Sequence, residues 1–192
     1  MSHDDGWAAV VLTGGTASRM GGADKAALAR DGRRLLDLVL DAVAGAAETV
    51  VVGPVADTAR PVTFTREQPA GSGPLAGLAA GVAALTGDST TVVVLAVDMP
   101  EVTAATVARL LEASRGQAGA WLVDAAGRRQ LAGVVRRDLV PLPEEAAGLP
   151  MRVLMARPDG VDVAADPGES ADVDTWDDAS RLGITRDTSH RT

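Results

Sequence analysis

The run Leu12-Thr13-Gly14-Gly15-Thr16-Ala17-Ser18-Arg19-Met20-Gly21-Gly22-Ala23-Asp24-Lys25 constrains this chain more than any other part of it. It follows the apolar residues Trp7-Ala8-Ala9-Val10-Val11-Leu12, which read as a buried strand. Glycines expose backbone N–H groups with no side chain in front of them. With Arg19 and Lys25 added, such a turn becomes a cradle for a polyphosphate. The plainer reading is an ordinary strand-to-helix turn, in which glycine serves only positive φ. Glycines and both cations share one short window, and that coincidence favours the phosphate reading. The spacing excludes two neighbouring motifs. No Gly-x-Gly-x-x-Gly occurs between Gly14 and Gly22, and Lys25 is followed by Ala26 rather than by the Ser or Thr of a P-loop.

Beyond the loop, apolar runs alternate with stretches of helical period. Residues 34–43 carry apolar positions at helical spacing, with Asp37 and Asp41 on the wet face. Thr49-Val50-Val51-Val52 reads as a strand ended by Gly53-Pro54, and residues 61–65 as another short one. Pro74 starts an Ala-rich helix through Leu85, whose glycines predict close packing on a sheet. Residues 91–97 form the strongest strand pattern, apolar on both faces as in a central parallel strand, and end at Asp98-Met99-Pro100. Thr103 caps a helix to about Ser114, and residues 118–123 and 131–135 suggest a hairpin-like pair. Residues 138–147 suggest a helix, 161–163 a strand, and Asp174 or Thr175 the cap of a last helix to Leu182. This alternation predicts an α/β fold: a Rossmann-like three-layer sandwich with a mostly parallel sheet and helices on both faces. One domain is expected over residues 1–183, followed by a disordered polar tail over 184–192.

In such sheets ligands sit outside the carboxyl ends of the strands, and both the glycine loop and Asp98 follow apolar strands at that end. A carboxylate there is a candidate Mg²⁺ ligand, with phosphate oxygens completing the shell; Asp before Met-Pro is also a common turn residue. The chain has no Cys, and its only two His, His3 and His190, lie near its ends. Disulfides, thiolate sites, a Cys nucleophile and a Ser-His-Asp triad are thereby disfavoured. A formal net charge of −8 argues against a nucleic-acid-binding face, and no apolar run is long enough to span a membrane. The acidic start Met1-Ser2-His3-Asp4-Asp5 lacks a signal-peptide pattern, so a cytoplasmic location is expected.

Leu12-Thr13-Gly14-Gly15, Arg19-Met20-Gly21 and Asp24-Lys25 resemble the signature of the molybdenum cofactor guanylyltransferases. In order along the chain, Glu67 with Gly73-Pro74-Leu75-Ala76-Gly77, Asp98-Met99-Pro100, residues 129–134 and Asp172-Val173-Asp174-Thr175 resemble that family's later elements. The likeness runs over residues 7–182. It implies a nucleotidyltransferase in which the phosphate of molybdopterin attacks the α-phosphorus of GTP with Mg²⁺, releasing pyrophosphate. By position, Leu12, Thr13, Gly14 and Gly15 line the nucleotide. Lys25 and Arg19 hold phosphates, and Glu67 stands near the nucleoside. Asp98 binds Mg²⁺, assisted by Asp174. Gly15 and residues 73–77 resemble the guanine-using branch. Gly53, where some members have Asn, the acidic pair Asp172 and Asp174, and Trp176 depart from the pattern. Arg128, Arg129 and Arg152 are candidates for an acceptor phosphate, or ordinary surface arginines. Other readings stay open: a CTP-using relative, another phosphorylated acceptor such as a sugar phosphate or deazaflavin precursor, or a catalytically silent nucleotide-binding module. Pairing with molybdenum-insertion or molybdoenzyme chaperone proteins is consistent with the resemblance.

Overall fold

A computed structural model describes residues 6–14, 20 and 25–186. The first strand, β1 (Ala8–Leu12), is buried along its whole length. It lies between β4 (Glu48–Val52) and β6 (Thr91–Ala96), parallel to both, and β4 is followed outward by the parallel β5 (Thr63–Thr65). On the other side β6 pairs antiparallel with β8 (Arg129–Arg136). That strand forms a hairpin with β7 (Gly119–Val123), which pairs parallel with β9 (Gly160–Ala164). The seven-stranded sheet thus has the order β5-β4-β1-β6-β8-β7-β9, with β8 alone reversed. The expected sandwich and the mostly parallel sheet are both present.

The two-residue period of strands divides the core into two layers. Ala9 and Val11 of β1, Val51 of β4, and Val93 and Leu95 of β6 face one side. There they meet α1 (Leu35–Ala42), α3 (Ala104–Ala113) and α6 (Trp176–Arg181). Ala8, Val10 and Leu12, with Val50, Val52, Val92 and Val94, face the other. That layer is covered by α2 (Pro74–Ala83), α4 (Pro143–Ala146) and α5 (Arg152–Met155). On α1, Asp37 pairs with Arg34 at 2.8 Å and Asp41 with Arg60 at 3.2 Å, so the polar positions do face outward. In α2 the glycines allow the close approach their sequence suggested: a Cβ on Gly81 would stand 2.5 Å from Cγ1 of Val10.

Three features differ from the sequence reading. The helix expected over 138–147 is a 3-10 turn at Arg137–Leu139 followed by the four-residue α4. Pro141 and Pro143 remove backbone donors and force Val140 and Leu142 into extended conformation, which breaks the helix. The tail expected from residue 184 is ordered at its start, because Ile184–Arg186 forms β10. This strand pairs antiparallel with β2 (Leu28–Arg30), which in turn pairs with β3 (Arg33–Arg34) in a three-stranded second sheet. Asp31 and Gly32, at φ 51° and 76°, make the tight turn between β2 and β3. The buried side chain of Ile184 explains why the tail does not start there. Residues 187–192 lie outside the described residues.

Candidate active site

The carboxyl ends of β1, β4 and β6 converge on one edge of the main sheet. Thr13 leaves β1 with its backbone N–H and its hydroxyl both donating to the carbonyl of Val52, each at 3.0 Å. Val97 N–H donates to the Leu12 carbonyl at 3.0 Å, extending the β1–β6 ladder by one step. A Cβ at Gly53 would lie 1.8 Å from the Thr13 hydroxyl oxygen. Glycine at 53, one of the departures noted above, therefore makes room for Thr13 to lock onto β4.

Two cavities open at this edge and share Leu12 and Gly14. The larger, about 430 Å³, has apolar walls from Leu12, Val52 and Pro74 and bare backbone from Gly71, Gly73 and Gly77. Glu67 supplies its carboxylate, one oxygen of which accepts the Gly71 N–H at 3.0 Å. An apolar slot with one anchored carboxylate suits a nucleoside, whose flat base needs contact and whose donors need an acceptor. The smaller cavity, about 170 Å³, is lined by Lys25, Asp98, Asp172 and Gln130 beside Thr13 and Gly14.

Lys25 is the hinge of the smaller cavity. Its Nζ donates to Asp98 Oδ2 at 2.8 Å and to Asp174 Oδ1 at 2.8 Å. Burial pulls the Lys25 pKa down, but the two carboxylates outweigh it and hold the ammonium above its usual value. Burial pushes the Asp172 carboxyl up, and the negative charges of Asp174 and Asp98 push it further. The acidic segment is tied to the loop after β6, for Val173 N–H donates to the Asp98 carbonyl at 3.0 Å. Immediately downstream, Thr175 caps α6 by accepting Asp178 N–H at 3.1 Å, while Thr175 N–H donates back to the Asp178 carboxylate at 2.9 Å. From the second sheet, Arg30 pairs with Glu101 and reaches the Pro100 carbonyl at 3.4 Å. The second sheet thus clasps the loop that carries Asp98.

The site residues named from sequence are therefore brought together in two groups. Leu12, Gly14 and Glu67 border the larger cavity. Thr13, Lys25 and Asp98 border the smaller, and Asp174 joins through Lys25. Gly15 and Arg19 lie outside the described residues, as do Gly21, Gly22 and Asp24. The arginines suggested for an acceptor have other partners in two cases. Arg129 is held by Asp162 and by the carbonyls of Met155 and Gly160, and Arg128 pairs with Asp124 at 2.7 Å. Sequence reasoning gave no role to Gln130, which lines the smaller cavity. A signal existed. An antiparallel strand enters a sheet at the edge where its parallel neighbours leave, so the first residues of β8 fall beside Asp98.

An α/β sheet, a glycine-backed cavity and a lysine–carboxylate cluster in the adjoining smaller cavity are consistent with a nucleotidyltransferase. The chain belongs to the MobA-like NTP transferase domain family, whose pattern matches residues 9–161. It is 43% identical over 111 residues to a molybdenum cofactor guanylyltransferase of Xanthomonas euvesicatoria pv. vesicatoria (strain 85-10), a match covering 57% of this chain and 56% of that protein. A second molybdenum cofactor guanylyltransferase, from Acidiphilium cryptum (strain JF-5), is 39% identical over 99 residues, 48% of this chain and 50% of the other. The matches span about half the length of these curated relatives. Among solved structures, a nucleotidyl transferase from Methanothermobacter is 25% identical with a TM-score of 0.72, covering 95% of this chain and 97% of that one.

Proposed function

We propose that this protein is a guanylyltransferase that moves GMP from GTP to the phosphate of molybdopterin. The observation that carries the reading is the meeting of Lys25 with Asp98 and Asp174 at the smaller cavity, which shares Leu12 and Gly14 with the larger one. The curated relatives support the choice of nucleotide and acceptor. The larger cavity takes the nucleoside against Leu12, Val52 and Pro74, with Glu67 facing its donors. The triphosphate then runs past Gly14 toward Lys25 and Asp98, since Gly14 belongs to both cavities. An oxygen of the acceptor phosphate attacks the α-phosphorus, the bond to the bridging oxygen of the β-phosphate breaks, and pyrophosphate leaves. The acceptor is already an anion, so the step needs no general base, in keeping with a site that offers Lys and Asp and, among the described residues, no His or Cys. Lys25, with Arg19 of the same sequence run, neutralises charge on the triphosphate.

The residues also fit a divalent ion. Asp98 and Asp174 already converge on one cationic nitrogen, and Mg²⁺ needs only one or two carboxylates when phosphates complete its shell. When bound there, the ion supplies charge stabilisation for the phosphorus under attack and for the departing pyrophosphate.

Pyrophosphate release with Mg²⁺ and molybdopterin should occur with GTP and fall away with CTP or ATP. Asp98→Asn should lower that turnover by about 100-fold or more, the range for loss of one electrostatic group at a reacting centre. GTP turnover that ignores molybdopterin but responds to another phosphorylated acceptor would reassign the acceptor. Comparable use of all nucleotides would reject the guanine assignment.

A further inference from the structure

The carboxylate cluster at the smaller cavity already contains its own cation. Asp98 Oδ2 and Asp174 Oδ1 each lie 2.8 Å from Lys25 Nζ, so the two oxygens are separated by no more than twice that distance. A small divalent ion bonds oxygen at about 2.1 Å. An ion seated on both of these oxygens would compete with the ammonium for them. Lysine and metal thus draw on one pair of carboxylates, although the proposed reaction requires both.

We infer that Lys25 is a built-in competitor for the divalent ion, released from the carboxylates only when a triphosphate offers its ammonium a better partner. The inference rests on the nucleotidyl-transfer reading of this site. Three observations support the exchange. The Lys25 side chain is only 11% exposed and has both carboxylates as partners. Its backbone opens a 3-10 turn, Lys25–Ala27, whose Ala26 is buried, so the anchor is fixed while the long side chain can turn. Lys25 and Gly14 line the same small cavity, which places the alternative partner within reach of a pivot rather than a rearranged fold. Metal alone then binds against the lysine, whereas metal with a triphosphate does not. By linkage, each of the two ligands strengthens the binding of the other by the same factor.

The test uses Mn²⁺ alone, followed by the electron paramagnetic resonance signal of the free ion, on the full chain. Lys25→Met should bind Mn²⁺ more tightly than the unsubstituted protein, by roughly fivefold or more. A non-hydrolysable GTP analogue should tighten Mn²⁺ binding strongly in the unsubstituted protein and much less in Lys25→Met. Lys25→Arg keeps a cation between the carboxylates and should retain weak Mn²⁺ binding. Equal or weaker Mn²⁺ binding by Lys25→Met overturns the inference, as does Lys25→Arg binding as tightly as Lys25→Met. Should Lys25→Met be marginally folded, melting curves give the same answer. Mn²⁺ should raise its melting temperature more than that of the unsubstituted protein, and a smaller or equal rise counts against the exchange. Failure of the enzymatic reading looks different: Mn²⁺ affinities as described, with no nucleotide turned over. Failure of the exchange alone leaves GTP turnover intact with Mn²⁺ affinities indifferent to residue 25.

Discussion

Gly53 and Glu169 illustrate how much rests on single residues outside the lysine–carboxylate cluster. Gly53→Ala drives a methyl into the Thr13 hydroxyl, so either the Val52 bond breaks or β1 and β4 part at the rim of the nucleoside cavity. Overpacking of this kind destabilises by about 1–3 kcal/mol, and thermal melts should show it together with weaker nucleotide binding. Glu169 is buried with its carboxylate on Arg109 at 2.6 Å, on the Thr106 hydroxyl and on Asp166 N–H at 2.8 Å. Burial alone would raise its pKa; these partners more than offset that and hold it below the usual 4.5. A depressed carboxyl stabilises the fold above its unfolded pKa, and that contribution is lost as pH falls through the folded value. Glu169→Gln should therefore lower stability at pH 7, by roughly 1.5–3 kcal/mol for bonds to a charged group. The gap to the unsubstituted protein should narrow on acidification below pH 4.5. Melts at the two pH values that differ by a constant gap would contradict the account. Gly53 was marked beforehand only as a strand end and a departure from the family pattern, and Glu169 not at all, because each acquires its main partner from a distant segment. Asp98 and Lys25 were legible, since a strand end and a glycine turn mark them locally, whereas Glu67 was named only through the family resemblance.

Helix α2 makes a sharper prediction at the level of an element. Its two interior glycines look alike in sequence but differ in what lies opposite. A Cβ at Gly81 would meet Val10 at 2.5 Å and Val52 at 3.0 Å, whereas at Gly77 it would meet Leu12 at 3.4 Å, an ordinary contact. Gly81→Ala should lose about 1–3 kcal/mol through overpacking, more than the helix gains from alanine. Gly77→Ala should hold or raise stability, by up to about 1 kcal/mol, while narrowing the nucleoside cavity that Gly77 lines. The denaturant midpoint should fall for Gly81→Ala and hold or rise for Gly77→Ala. Elements were read well where periodicity was long, as in β1, β6, α1 and α3. The three-residue β2 and two-residue β3 are too short for periodicity, though Asp31-Gly32 carried a recognisable hairpin signal. The helix expected over 138–147 is broken by Pro141 and Pro143, which its sequence already displayed.

Across the whole molecule, the second sheet joins segments from opposite ends of the described chain. Thr185 hydroxyl reaches the Ala29 carbonyl at 3.5 Å, 156 residues away in sequence. Ile184→Ala would hollow the junction where β10 meets β2, at about 2–4 kcal/mol for a buried isoleucine. Because Arg30 of β2 also clasps the loop carrying Asp98, the same substitution should weaken divalent-ion binding, measurable by Mn²⁺ titration at temperatures where the variant stays folded. Composition and strand order along the chain foretold the sandwich, but no local pattern could announce that residues 184–186 return to a hairpin near residue 30. Such pairings are set by burial across the whole fold.

This return has a consequence for the growing polypeptide. A nascent chain that has emerged only as far as β9 contains the glycine loop, Lys25, Glu67 and Asp98, and can already stack most of the main sheet. It still lacks Asp174 and β10, so the lysine has a single carboxylate and the Arg30 strand has one open edge. The second carboxylate of the proposed ion site thus emerges late in translation, after every strand of the main sheet, and a product terminated at β9 would carry Lys25 and Asp98 without Asp174.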